Sequence, residues 1–291
     1  MAHGGLSTAQ PIDLSRPWFA PLAPWLTPVR QALSRGDSVA DALNALRLAP
    51  PGGVPGAAHH AALDGLRFVP QSSLPEGEAY EAFIFRTRCV PTRDNLHDLL
   101  NGLCWLRFPA IKRHLNALQA EQIAASGVGA TRGPVRDALT LLDENALLLC
   151  GPARLRDAHS RHDWHTLFVR ERGLWAQTRV IPFGHALLEK LVQPYKSITA
   201  HVLWVDLPGL GAGDDPLHLD ALALDAALER HLPLALNAAH LASKPFVPLP
   251  VLGLPGWWPA NEHPDFYADS GVFRPKPGTT SLHHYQKRDD L

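Results

Sequence analysis

Between Asn95 and Asn145, polar side chains recur at helical spacing inside an otherwise apolar stretch. His97 and Asn101 are four residues apart and share a helix face. Lys112, Asn116 and Gln119 follow the same period and share another. A lysine in such a setting binds an anion as a point charge, and the amides fix a ligand's orientation. Arg136, with Arg107, Arg113 and Arg132 nearby, adds positive charge. The ligand expected here is therefore small and carries a carboxylate or phosphate. The competing reading is that these are the solvated faces of two amphipathic helices.

A second candidate is FGHALLEKL, where His185 and Glu189 are four apart. That spacing suits an acid/base pair, with His185 transferring the proton and Glu189 orienting it. Together with His201 further on, the same residues are also the donor set of a mononuclear metal site. A structural His–Glu contact is commoner, so no metal ligand is assigned, and the residues name no cofactor. Asp137, beside Arg136, is a third catalytic candidate. Asp143 and Glu144 can split acid and base roles, but Asp-Glu-Asn between two apolar runs is ordinary hairpin-turn chemistry. His159, His162 and His165, three apart, drift around a helix and read as a solvated face.

No phosphate loop, dinucleotide glycine fingerprint, zinc-finger spacing, HExxH or GxSxG occurs. The glycines of Gly209–Gly213 precede Asp-Asp-Pro, which would repel phosphate. Trp257, Trp258, Phe266, Tyr267 and Phe273 lie in a proline-dense stretch and admit two readings. They anchor a wrap around the domain, or they form the surface of a non-catalytic binding protein; exposure decides between these.

The elements that would position these groups follow from pattern. Residues 1–25 read as an extended Pro/Trp-rich arm, VADALNALRLA as a helix, and LRFVP and AFIFRTRCV as strands. One helix runs to about Leu106, and a second starts at Phe108-Pro109 and reaches about Ala125. ALTLLDENALLLCG reads as a β-hairpin and RDAHSRHDWHTLFVRERGLW as helical. TRVIPF and ITAHVLWVDL read as strands around the helix GHALLEKLV, and LHLDALALDAALERHL as a further helix. From Pro245 to Pro277 the chain is a proline-rich wrap. This mixture without βαβ regularity is an α+β fold, a single domain over residues 1–275 with a polar tail at 276–291.

Composition narrows the functions. The 291 residues are 46% hydrophobic and 19% charged, with a net charge of −1. There is no positive excess of the kind that non-specific nucleic-acid binders use. Cys89, Cys104 and Cys150 match no CxxC pattern and fit reduced thiols in a cytoplasm. No signal peptide is visible, and no apolar run reaches the ~18 residues of a membrane span.

Several segments together carry a family resemblance. FPAIKRHLNALQ, RDALTLLDEN, FGHALLEKL with PY after it and TAH further on, and PLPVLGLPGWWPAN with FY and VFRP occur in order. They resemble a proteobacterial family, the domain of unknown function numbered three thousand and twenty-five, over roughly residues 83–275. Ala146 stands where glycine is expected. The resemblance implies a bacterial, cytoplasmic protein and brings no activity, cofactor or mechanism. On the residues alone the leading expectation is a small-molecule enzyme. Lys112 and Arg136 hold its anionic substrate; His97, Asn101, Asn116 and Gln119 position it; His185, Glu189 and Asp137 do the chemistry.

Overall fold

The structure is a computed structural model and describes residues 12–51, 56–127, 133–207 and 220–276. Residues 1–11 of the expected arm, the Gly209–Gly213 loop and the tail from residue 277 lie outside the described residues. The arm is less extended than its prolines imply. A 3-10 turn at Ala20–Leu22 leads into α1 (Ala23–Ser34), which takes Pro24 in its first turn. Trp18, Phe19 and Trp25 are buried anchors, and Trp18 packs on Trp257 with centroids 5.3 Å apart.

Helix α2 (Val39–Leu48) is capped by Ser38, whose side chain accepts from the Asp41 amide. After α3 (Gly56–Leu63) and β1 (Arg67–Pro70), the segment expected as one strand divides. Tyr80–Thr87 is helix α4, and only Cys89–Thr92 is strand β2. Phe83 and Ile84 bury one face of α4, and Arg88 leaves it in the left-handed region at φ 57°. Tertiary burial overrides the β-propensity of its aromatics. Strands β1 and β2 pair in parallel.

Helices α5 (Leu96–Arg107) and α6 (Pro109–Ser126) meet at the expected corner, Phe108, with φ −126° and ψ 55°. Asn95 caps α5 through the Asp98 amide. The expected hairpin is absent. Pro134–Asn145 is helix α7, and it runs directly into β3 (Ala146–Cys150). Ala138, Leu139 and Leu142 recur at helical spacing and are buried, so Asp-Glu-Asn ends a helix instead of turning a hairpin.

The rest of the chain comprises α8 (Ala153–Ser160), β4 (Arg179–Pro182), α9 (His185–Lys190), β5 (Thr199–Trp204), α10 (Ala221–Ala235), α11 (Ala238–Ala242) and β6 (Val247–Pro250). Four strands form one sheet in the order β4-β3-β5-β6, with β3 and β5 parallel. Both faces are covered. Leu147, Leu149, Ala200, Val202 and Leu249 join one apolar cluster, and Ala146, Leu148, Ile181 and Leu203 join the other. An interior strand buried on both faces explains the unbroken apolar run of β3. Strand β6 carries Pro248 and Pro250 at the sheet edge, where a missing N–H is tolerated. The fold is α+β. Among the described residues no helix is long and apolar enough to cross a membrane.

Candidate functional site

Four helices enclose a cleft of about 490 Å³ including its mouth. Helix α4 contributes Tyr80, Glu81 and Ile84, and α5 contributes Asn101 and Trp105. Lys112, Leu115, Asn116 and Gln119 come from α6; Leu139, Thr140, Asp143 and Glu144 come from α7. The corner at Phe108 brings Asn101 and Lys112 together across two helices. Lys112 Nζ donates to Asn101 Oδ1 at 2.9 Å and to Asp143 Oδ1. Its side chain is 3% exposed, whereas that of Asp143 is 31% exposed. The ammonium also sits 5.3 Å from the centroid of the Trp105 ring.

A buried charge needs such partners, because desolvation alone would expel it. Burial pushes the Asp143 carboxyl upward, but the Lys112 charge and hydrogen bond, with the imidazoles behind, hold it below the usual carboxylate value. Asn101 passes the polar contact on, donating to the Tyr80 hydroxyl at 3.2 Å. Burial, followed by Asp98, Asp143 and Glu81, pushes Tyr80 up, so it stays a neutral hydroxyl. Burial also pushes the Cys104 thiol up to about 12, which removes it as a thiolate nucleophile.

Behind Asp143 lies a chain of imidazoles. His185 Nδ1 is 2.9 Å from the Asp143 carbonyl oxygen, which can only accept, so Nδ1 carries the hydrogen. His185 Nε2 is 3.2 Å from His97 Nε2, and His97 Nδ1 is 2.7 Å from Glu189 Oε2. Burial lowers His185 to about 4, so it is neutral near pH 7. A close approach at Gly184 makes this possible. A Cβ there would overlap the Glu144 carbonyl oxygen and the Asn145 nitrogen, and the bare Cα lets α9 start against the end of α7.

The expected residues divide accordingly. Lys112, Asn101, Asn116 and Gln119 share the cleft. His97, His185 and Glu189 are joined to one another, but they do not line it. Glu189 holds His97, not His185 as expected, because His97 of α5 lies within hydrogen-bond reach of the carboxylate. Asp137 is exposed on α7. It is six residues from Asp143, about 120° around the helix, and so misses the cleft. Arg136 is buried outside the cleft lining, and Lys112 is already paired, so the expected two-cation clamp does not assemble. His201 Nδ1 accepts from Asn145 at 3.2 Å, apart from His185. Among the described residues no group of three or more His, Cys, Asp or Glu side chains is placed to hold a metal ion.

Two further expectations change. Trp257 and Phe266 are buried and Trp258 is half-buried, so these rings anchor the wrap and form no surface patch. His159 is fully buried, not solvated. Trp204 Nε1 donates to its Nδ1 at 3.1 Å, and its Nε2 donates to the Pro248 carbonyl at 3.0 Å. Sequence reasoning weighed Asp143 and set it aside as turn chemistry, and it passed over Tyr80 and Trp105. Asp143 was within reach, since it falls at helical spacing from Leu139 once α7 is read as a helix.

A family model described as "Protein of unknown function (DUF3025)" matches residues 66–277, which include every cleft and imidazole residue named above. No curated protein and no solved structure matches the chain.

Proposed function

The chain belongs to the DUF3025 family of proteins of unknown function, and we propose that it is a small-molecule enzyme whose acid–base work is done at the Lys112–Asp143 pair. One observation carries this reading. A lysine is buried to 3% exposure only to meet a carboxylate that lines a cleft. A purely structural position would be filled at less cost by an apolar side chain, since replacing a buried ion pair by hydrophobic residues is often neutral or stabilising. Polar groups that disturb an otherwise consistent core are where function is sought.

In this reading Asp143 accepts a proton from a ligand hydroxyl. Lys112 stabilises the negative charge that develops as that proton leaves, acting from a fixed position that needs no reorganisation. Asn116 and Gln119 orient the ligand. His185, His97 and Glu189 are positioning residues. They fix the backbone of Asp143 through its carbonyl and touch no ligand.

The test is a thermal-shift screen of a small-metabolite panel against wild type and Asp143→Asn, followed by NMR of each hit over time. The expected hit raises the melting temperature of wild type, loses that effect in the variant, and is converted only by wild type. A panel in which no compound distinguishes the two proteins removes the reading.

A further inference from the structure

We propose that the group this cleft takes up is a cationic hydrogen-bond donor, a protonated amine or a guanidinium carried by a small molecule. The proposal rests on the cleft being the ligand site argued above, and it replaces the anion expected from the spacing of lysine and arginines.

The first argument is charge. Lys112 is the cation lining the cleft, against three carboxylates, Glu81, Asp143 and Glu144. Its charge is already spent on Asp143, and two of its three donors on Asp143 and Asn101. The nearby guanidinium of Arg113 is turned elsewhere, donating to the Ala61 and Ala62 carbonyls. An incoming anion would meet a net negative wall.

The second argument is an unpaired acceptor. Gln119 lines the cleft at 7% exposure, and its Oε1 has no hydrogen-bond partner. A buried carbonyl without a donor costs about 1–3 kcal/mol in general, so such an atom is normally satisfied by something. Asn116 commits one of its two amide N–H groups to the Glu81 carbonyl at 2.8 Å, and its oxygen adds another acceptor. With the carboxylate oxygens of Glu81, Asp143 and Glu144, acceptors outnumber donors around the cavity. An ammonium or guanidinium brings several N–H groups and positive charge, and so answers both deficits in charge-assisted bonds.

The experiment titrates the full-length protein by calorimetry with n-butylamine, n-butylguanidinium, n-butyrate and n-butanol at pH 7 and matched ionic strength. The two cations are expected to bind and the others not. Glu144→Gln and Gln119→Leu are each expected to weaken the cations about tenfold, the scale of one charged hydrogen bond. Glu144 is exposed at the end of α7, so its variant keeps the test valid if Gln119→Leu fails to fold. Preferential binding of butyrate, lost in Lys112→Met, would overturn the donor class while leaving the cleft as a ligand site. Absence of binding by every probe, or binding unchanged in Asp143→Asn, would overturn both.

Discussion

The Nε2 atoms of His97 and His185 face each other across 3.2 Å. Because His185 spends its hydrogen on the Asp143 carbonyl, its Nε2 holds a lone pair, and His97 must supply the hydrogen between them. His97 Nδ1 then faces the Glu189 carboxylate at 2.7 Å, and that contact too requires a hydrogen. Both demands are met together when His97 is an imidazolium paired with Glu189. Ring ¹⁵N NMR should find His97 with a hydrogen on both nitrogens and His185 neutral, with its hydrogen on Nδ1. Two rings in the same protonation state would refute this arrangement.

Acid should destabilise the protein through two buried imidazoles. Burial lowers both His185 and His159 from the usual 6.5 to about 4. Between those values the unfolded chain binds protons that the native state refuses, so stability is lost as pH falls through the window. Each group contributes on the order of 3 kcal/mol by the bottom of it. Urea denaturation at intervals from pH 7 to pH 4 should show the decline, and His159→Phe should make it shallower. A wild-type profile that stays level across this range contradicts the burial argument.

Breaking the Lys112–Asp143 pair should be asymmetric. Asp143→Asn leaves an ammonium at 3% exposure with neutral amide partners only, and should cost about 3–5 kcal/mol. Lys112→Met leaves a carboxylate that is 31% exposed and hydrated from the cleft, and should cost about 1–2 kcal/mol. The double variant should cost less than the sum, since the two residues share one interaction. Equal single costs, or additive ones, would mean the pair is not the unit described.

Gly184→Ala should loosen the imidazole chain without touching an imidazole. The added methyl meets backbone of Glu144 and Asn145, which cannot rotate away, so about 1–3 kcal/mol of overpacking is expected. Helix α9 should shift outward, and the His185 Nδ1 hydrogen should exchange faster as its bond to Asp143 lengthens. Unchanged stability and unchanged exchange would show that the corner has slack.

How far the site could be read in advance depends on which contacts are local. Lys112, Asn116 and Gln119 share a face because three and four residues nearly complete a turn, and that relation survives any tertiary arrangement. His97 and Asn101 also share a face, yet one joins the imidazole chain and the other the cleft, a division set by the partners and not by α5 itself. The His97 contacts span 92 and 88 residues of sequence and left no local mark. Asp143 was hidden by turn chemistry. The same Asp-Glu-Asn serves to end a helix, and only burial of Leu139 and Leu142 decides which. The strand pattern of β3, β4 and β5 was legible because β3 is a short apolar run and β4 and β5 carry β-branched residues among apolar ones. The α4 segment was not, since its aromatics fit a strand as well as a buried helix face.

Glu229 gives the stability profile a slope of the opposite sign. From α10 it accepts the backbone N–H groups of Ala110 at 2.7 Å and Ile111 at 3.1 Å, capping the start of α6 from outside that helix. Burial pushes its carboxyl from 4.5 up to about 7, outweighing the two donors. The native state therefore holds a proton that the unfolded chain has released, and stability is lost as pH rises from 4.5 to 7. The loss is on the order of 3 kcal/mol. Glu229→Gln keeps one acceptor oxygen, sets its NH2 against the other N–H at a cost independent of pH, and removes the titration, so its stability relative to wild type should grow steadily across that interval. The variant should gain most above pH 7, where wild type carries a buried carboxylate against the helix that holds Lys112. A stability difference between the two proteins that does not change with pH would mean the carboxylate is solvated in the native state.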